Sequence, residues 1–276
     1  MIVKPYELDK IKNDLKFFLF YGKNEGLKKH YINQLLENNK KTLLLLGGST
    51  LMEKPLEVAG RIKAKTGADV LAEGMNTRIQ RGVGRLPVIR IPYPVPQALK
   101  ILKDYQQIIL VGAADPVGFF AYPGKPSRLA PESCHVHLLA TPAQECEQAL
   151  EALCDGVGAN NVISELQKPN RPDRSTGAIT LDSIASAIGA LLPENAIVVD
   201  ESVTTGRGFL PFTAGAAPHD WLQNRGGAIG LGLPMATGAA IACPDRKVIC
   251  LESDGMPLQP RLSCQPPRLP LAASPR

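Results

Sequence analysis

Arg225-Gly-Gly-Ala-Ile-Gly-Leu-Gly-Leu-Pro234, a run of small residues to Ala242, and Cys243-Pro-Asp-Arg-Lys-Val-Ile-Cys-Leu-Glu-Ser-Asp-Gly255 read as loop, helix, strand and turn. Gly226, Gly227, Gly230 and Gly232 precede Pro234. A helix tolerates proline in its first turn, where the missing N–H would be unpaired anyway. Residues 235–242 predict a closely packed helix of small side chains. Residues 247–251 predict a buried strand that ends in Ser253-Asp254-Gly255. An aspartate just past the carboxyl end of a strand, before a glycine turn, suits a hard divalent cation such as Mg2+. A glycine-rich loop with free N–H groups suits a phosphate or a close backbone approach to a ligand. Either feature alone is ordinary turn chemistry; together they predict a metal–diphosphate site.

The phrase Gly226-Gly-Ala-Ile-Gly-Leu-Gly-Leu-Pro234, followed after a helix and strand by Ser253-Asp-Gly255, resembles the diphosphate-binding domain of thiamine diphosphate enzymes. Within that superfamily it is similar to the acetolactate synthase large subunit and to benzoylformate decarboxylase. The resemblance implies that Gly226, Gly227, Ala228, Ile229, Gly230, Ser253, Asp254 and Gly255 line the cofactor, with Asp254 as the metal ligand. Ile229 matches the large apolar residue that props the cofactor into a bent shape, and the backbone of Gly227 faces its aminopyrimidine. Two departures stand out. The first glycine of the family's Gly-Asp-Gly is Ser253, and no asparagine follows Asp254 to act as the second metal ligand.

The apolar fraction of 44% and the charged fraction of 21% are those of a globular protein. The net charge is +5, and residues 1–42 carry nine Lys against five acids, so most of the excess is local. That pattern argues against a nucleic-acid surface across the chain. None of the six cysteines forms a C-x-x-C pair, which fits reduced thiols and a cytoplasmic setting. No apolar run is long enough to span a bilayer, so no membrane partner is expected.

Residues 1–42 differ in composition, being rich in Lys, Asn and Leu. Residues 17–21 read as a strand and 26–38 as a helix. Phe17-Phe-Leu-Phe-Tyr-Gly-Lys-Asn-Glu-Gly-Leu27 resembles the start of the delta subunit of bacterial DNA polymerase III, a clamp-loader component. The P-loop motif is absent from this stretch. From residue 43 strand and helix patterns alternate. Strands are expected at 43–46, 68–71, 88–91, 108–111 and 136–139, and helices from Ser49 or Thr50 to 65, at 96–102 and at 142–153. Alternation of this kind predicts a mostly parallel sheet covered on both faces. Leu110-Val-Gly-Ala113 and Phe119-Phe-Ala-Tyr-Pro-Gly-Lys-Pro-Ser127 resemble a subgroup near benzoylformate decarboxylase, whose central domain is Rossmann-like. Gly82-Val83-Gly84 is a fragment of a dinucleotide fingerprint that follows no expected strand. There is no positive signal for FAD, which some relatives bind in this domain.

His135 and His137 share one strand face without further metal ligands in the pattern. Thr180 is placed to cap a helix over 181–192. Asp200-Glu201 ends a strand over 196–200, where two carboxylates could do acid–base work or cap the following turn; the resemblance instead gives the run a part in shaping the cofactor site. Trp221 is expected against the loop at Gly226.

The fold class expected is α/β: a Rossmann-like central parallel-sheet domain followed by an incomplete α/β diphosphate-binding domain. The segments are 1–42 (foreign, clamp-loader-like), 43–155 (central), 156–176 (linker), 177–255 (partial thiamine diphosphate-binding domain) and 256–276 (a proline-rich, acid-free tail, disordered or out of frame). The resemblance implies thiamine diphosphate and Mg2+ as cofactors, a 2-keto acid as substrate, and a homodimer or homotetramer. In that family a glutamate from a separate pyrimidine-binding domain activates the cofactor, and residues 1–42 stand in its place here. The chain is therefore expected to be a truncated enzyme, inactive alone and binding the cofactor weakly or not at all, with no catalytic residue assigned. The alternative is a non-catalytic interaction module with the clamp-loader-like N-terminus.

Overall fold

The computed structural model describes residues 40–253. The expectations for the clamp-loader-like N-terminus, for Asp254 and Gly255, and for the proline-rich tail lie outside the described residues.

The chain starts with β1 (Thr42–Leu46), whose five residues are all buried. It continues through α1 (Glu53–Thr66), β2 (Asp69–Ala72), β3 (Arg78–Arg81), β4 (Ile89–Arg90), α2 (Val95–Leu102), β5 (Gln107–Val111), β6 (His135–Ala140) and α3 (Cys146–Gly156). After an irregular stretch come α4 (Leu181–Leu191), β7 (Ile197–Glu201), α5 (Phe209–Thr213), β8 (His219–Gln223), α6 (Gly232–Ala242) and β9 (Val248–Glu252).

Two sheets form. The first has the order β4-β2-β1-β5-β6, with every pairing parallel. Its central strands, β2, β1 and β5, read as largely apolar buried runs because helices cover both faces. The two-residue period of a strand divides them cleanly. Leu43, Leu45, Ile108 and Leu110 pack with Val95, Ala98 and Leu102 of α2. Leu44, Leu46, Ile109 and Val111 face the other way, onto Leu56, Ala59 and Ile62 of α1 and Leu150 and Leu153 of α3. That second cluster runs on to Val198, Phe209 and Trp221, so the two sheets share one continuous core.

The second sheet has the order β3-β8-β7-β9. β7 pairs in parallel with β8 and β9, while β3 joins β8 antiparallel, Ile79 opposite Trp221. A strand from the first third of the chain thus edges the sheet built by the last third.

Four local expectations are corrected. Ser49 and Thr50 do not cap α1, which begins at Glu53 behind Met52. Pro55 has to sit in a first turn, where no N–H is needed, so the helix starts late; the Thr50 hydroxyl bonds the Gly47 carbonyl instead, at 2.8 Å. Gly82-Val83-Gly84 does follow a strand, β3, which was not foreseen because Arg-Ile-Gln-Arg carries two charges. β8 was likewise unforeseen. Trp221 packs beside His219 and under the Arg81 guanidinium, and the aromatic ring found against the glycine loop is that of Phe119. Thr180, by contrast, does cap α4, its hydroxyl accepting the Ser183 N–H at 3.1 Å.

Candidate functional site

The glycine-rich loop leaves the carboxyl end of β8 and enters α6, on the side of the sheet where ligands of parallel α/β folds sit. Two side chains hold it. Asn224 folds back over the first half: its Oδ1 accepts the N–H groups of Gly226 at 3.0 Å and Ala228 at 3.3 Å, and its amide donates to the Ala228 carbonyl. Glu201, the last residue of β7, holds the second half. One carboxylate oxygen accepts the N–H groups of Gly230 at 2.7 Å and Leu231 at 3.3 Å, and the other accepts that of Gly232 at 2.5 Å. Glu201 is 5% exposed, and these bonds compensate the burial of its charge.

Gly227 and Gly230 adopt positive φ, +67° and +85°, which glycine alone takes without strain. Among the described residues no side chain takes the amides of Gly227 and Ile229. Ile229 is 63% exposed. A Cβ on Gly227 would lie 3.1 Å from the Phe119 ring. Phe119 in turn packs with Tyr93 and Phe120, so an aromatic cluster from the connections that follow β4 and β5 borders the loop. Arg225 reaches from the loop's start to Glu73 at the end of β2, 3.7 Å away. Burial raises the Glu73 carboxyl above its ordinary range, against the opposing pull of Arg225.

The two carboxylates ending β7 are committed differently. Asp200 accepts the Ser202 N–H at 3.1 Å and its hydroxyl, capping the turn that follows. Glu201 is spent on the loop, so neither stands free as an acid or base. Val203, one residue beyond that turn, has φ +48°, a strained conformation for a β-branched residue.

Of the sequence-derived site residues, the structure brings Gly226, Gly227, Ala228, Ile229 and Gly230 together in this loop. Ser253 follows directly on β9, whose last residue Glu252 presses against Gly232. Sequence reasoning missed Asn224 and gave Glu201 no specific partner. An Asn two residues before a glycine pair is a recognisable Asx-turn signal; nothing local announces Glu201's reach across 29 residues. Among the described residues no group of three or more His, Cys, Asp or Glu is arranged to hold a metal. No helix among them is long and apolar enough to cross a membrane.

Residues 208–259 match the family model for the thiamine pyrophosphate enzyme, C-terminal TPP binding domain. The chain is 46% identical over 221 residues to a Mycobacterium tuberculosis protein with the provisional name acetolactate synthase large subunit IlvX, covering 80% of this chain and 42% of that one. It is 33% identical over 108 residues to the benzoylformate decarboxylase of Pseudomonas aeruginosa, covering 38% of this chain and 20% of that one. Its fold matches the thiamine diphosphate-dependent 4-hydroxybenzoylformate decarboxylase of Rhodococcus jostii RHA1 with a TM-score of 0.62 at 21% identity, over 81% of this chain and 45% of that one. The chain spans less than half the length of each of these relatives. The comparisons lend the clamp-loader reading of the N-terminus no support. The chain is thus similar over 221 residues to a protein with an acetolactate synthase large subunit name and over 108 residues to a benzoylformate decarboxylase, and its residues 208–259 match the TPP-binding domain of thiamine pyrophosphate enzymes.

Proposed function

We propose that this chain binds thiamine diphosphate together with Mg2+ at the loop between β8 and α6, in the service of decarboxylation or carboligation of 2-keto acids. The observation that carries the reading is the loop itself. It is held by Asn224 and Glu201, leaves the Gly227 and Ile229 amides unclaimed by side chains, and exposes Ile229, and the loop with Asn224 lies within residues 208–259, which match the TPP-binding domain. A large apolar side chain set in solvent by a held backbone suits a flat heteroaromatic ligand. When bound, thiamine diphosphate supplies carbanion chemistry that the protein's own side chains lack. Ile229 would support its rings, the Gly227 backbone would meet its polar edge, and Ser253, Asp254 and Gly255 would receive the diphosphate and its cation.

No residue of residues 40–253 is assigned as the proton-transfer group, and the chain by itself is expected to bind the cofactor without turning over 2-keto acids. A homodimer or homotetramer, as the family resemblance implies, is proposed as the assembly. Calorimetric titration of the purified chain with thiamine diphosphate and MgCl2 tests the binding. Saturable heat that needs Mg2+ and disappears in Asp254→Ala is expected. No heat at millimolar cofactor would remove the reading.

A further inference from the structure

The connection that follows β5 forms a hairpin arm. Val117 bridges Arg128 antiparallel, the Gly118 N–H donates to the Ser127 carbonyl at 2.7 Å, and the Leu129 N–H donates to the Pro116 carbonyl at 2.9 Å. An ion pair between Asp115 and Arg128, at 2.9 Å, closes its base, and Leu129 and Ala130 are buried in the core with α2. The tip carries Phe119, Phe120 and Tyr122. Phe119 meets Tyr93 with ring centroids 5.7 Å apart and Phe120 edge to face at 4.6 Å, a favourable aromatic geometry. Its Cζ and Cε1 stand where a side chain on Gly227 would point, 3.1 and 3.3 Å from a Cβ built there. Gly227 is thus glycine for two reasons: its φ is +67°, and an aromatic ring takes the space of its side chain. Asn224 holds the amides on either side, those of Gly226 and Ala228, while Phe119 meets Gly227 itself.

We propose that Phe119 is a positioning residue for the cofactor rings: it seats Gly227, and with it the backbone edge that the loop turns to the aminopyrimidine, and has no part in holding the diphosphate and its cation at Ser253, Asp254 and Gly255. This rests on the cofactor reading above. A glycine backbone rotates easily because no Cβ restricts it. Asn224 pins the loop before and after Gly227 without taking the Gly227 N–H. A ring packed into the side-chain position removes the conformations in which Gly227 swings toward the arm. The shape of the loop then comes from the first sheet as well as the second: Phe119 follows β5, and Glu73, which draws Arg225, follows β2. Both stand beyond the carboxyl ends of parallel strands, on the side where ligands sit. A seat formed before the ligand arrives removes an ordering cost from binding the rings.

Residue-resolved hydrogen exchange and calorimetry on the full chain test the assignment. In the unliganded wild type the amides of Gly226 and Ala228 should be protected. In Phe119→Ala they should exchange at least about fivefold faster, with β7, β8 and the amides of Gly230, Leu231 and Gly232 unchanged. The same variant should bind thiamine diphosphate with MgCl2 about tenfold more weakly, while its affinity for inorganic pyrophosphate with MgCl2 shifts by less than about twofold. Phe119→Leu keeps an apolar side chain on the arm but withdraws Cε1 and Cζ, so it should show the same split between the two ligands even where the alanine variant folds poorly. Equal weakening toward both ligands would mark a merely structural role and overturn the assignment, as would unchanged exchange at Gly226 and Ala228. If the wild type takes up no thiamine diphosphate, the proposed function falls, while faster exchange in the two variants still reports the seat.

Discussion

Glu201 and Glu252 occupy paired positions at the carboxyl ends of two adjacent parallel strands, β7 and β9, and their carboxylates meet over Gly232. Like charges in register are normally unfavourable. Here the first is neutralised in effect by three backbone dipoles, and the second takes a thiol. The Cys250 thiol pays for this arrangement: burial and its bond to Glu252 push its pKa up to about 12, so it is not a nucleophile.

Gly232→Ala should therefore be destabilising although it adds a better helix former at the start of α6. Alanine exceeds glycine by about 1 kcal/mol in a helix interior. The new Cβ, however, would fall within 3 Å of both carboxylates, and displacing Glu201 frees three charge-assisted bonds. A net loss of about 1–3 kcal/mol is expected. Urea denaturation with an unchanged m-value would register it as a lower midpoint, and an equal or higher midpoint would contradict the packing described.

Val203→Asn should have the opposite sign. Val203 is 62% exposed and makes no use of the core, yet its φ is +48°. Left-handed backbone costs an L-residue roughly 1–2 kcal/mol, and asparagine tolerates it best after glycine. The variant should gain about 1 kcal/mol in chemical denaturation. Its measured affinity for thiamine diphosphate then asks whether that strain serves the ligand, as strain near functional sites often does.

The strands of the first sheet were legible because burial on both faces writes them as unbroken apolar runs, Thr42–Leu46 and Gln107–Val111 being the clearest. The loop, helix and strand of the candidate site were legible from glycines and one proline. β3 and β8 were not. Arg78-Ile-Gln-Arg and His219-Asp-Trp-Leu-Gln look like surface because their charges find partners only after the chain closes. Arg78 meets Asp220 across 142 positions. The same holds for Glu201: a strand-terminal carboxylate reads as a turn cap, and Asp200 beside it is one. Period-two alternation sends the next side chain to the opposite face, and only the fold shows that the α6 amides wait there.

Asp220 should prove a structural hub. It is 2% exposed and accepts Arg78 Nε at 2.7 Å and Arg246 Nη2 at 2.5 Å, tying β8 to β3 on one side and to the turn before β9 on the other. Burial alone would raise its carboxyl pKa, but the two guanidinium groups hold it below the usual value. A depressed carboxylate contributes stability that is present above its unfolded pKa, near 4, and is lost as pH falls through the folded value. Asp220→Asn keeps the shape and removes the charge. It should cost about 2–3 kcal/mol at pH 7, less than for a fully buried pair because both arginines reach solvent. The gap to wild type should close below pH 4. A gap that persists there would mean that the ion pairs are not its source.

His219 sets a second, higher pH window. The ring is 4% exposed, its Nδ1 lies 2.7 Å from the Ala217 carbonyl, and its Nε2 is buried without a partner. Burial, opposed by the Ala217 bond and reinforced by Arg81, brings its pKa down to about 4. The unfolded chain titrates near 6.5, so between these values the unfolded state binds the extra proton. Stability should be full above pH 6.5 and fall steadily toward pH 4, by up to about 3 kcal/mol from this residue. His137, also depressed by burial and by His135 and Lys40, adds to the same slope. The difference between wild type and His219→Gln isolates the His219 share, since glutamine can still donate toward Ala217 but does not titrate. Denaturation midpoints taken from pH 7.5 to 4 should converge as pH falls. Parallel curves would show that His219 is not held neutral in the folded chain.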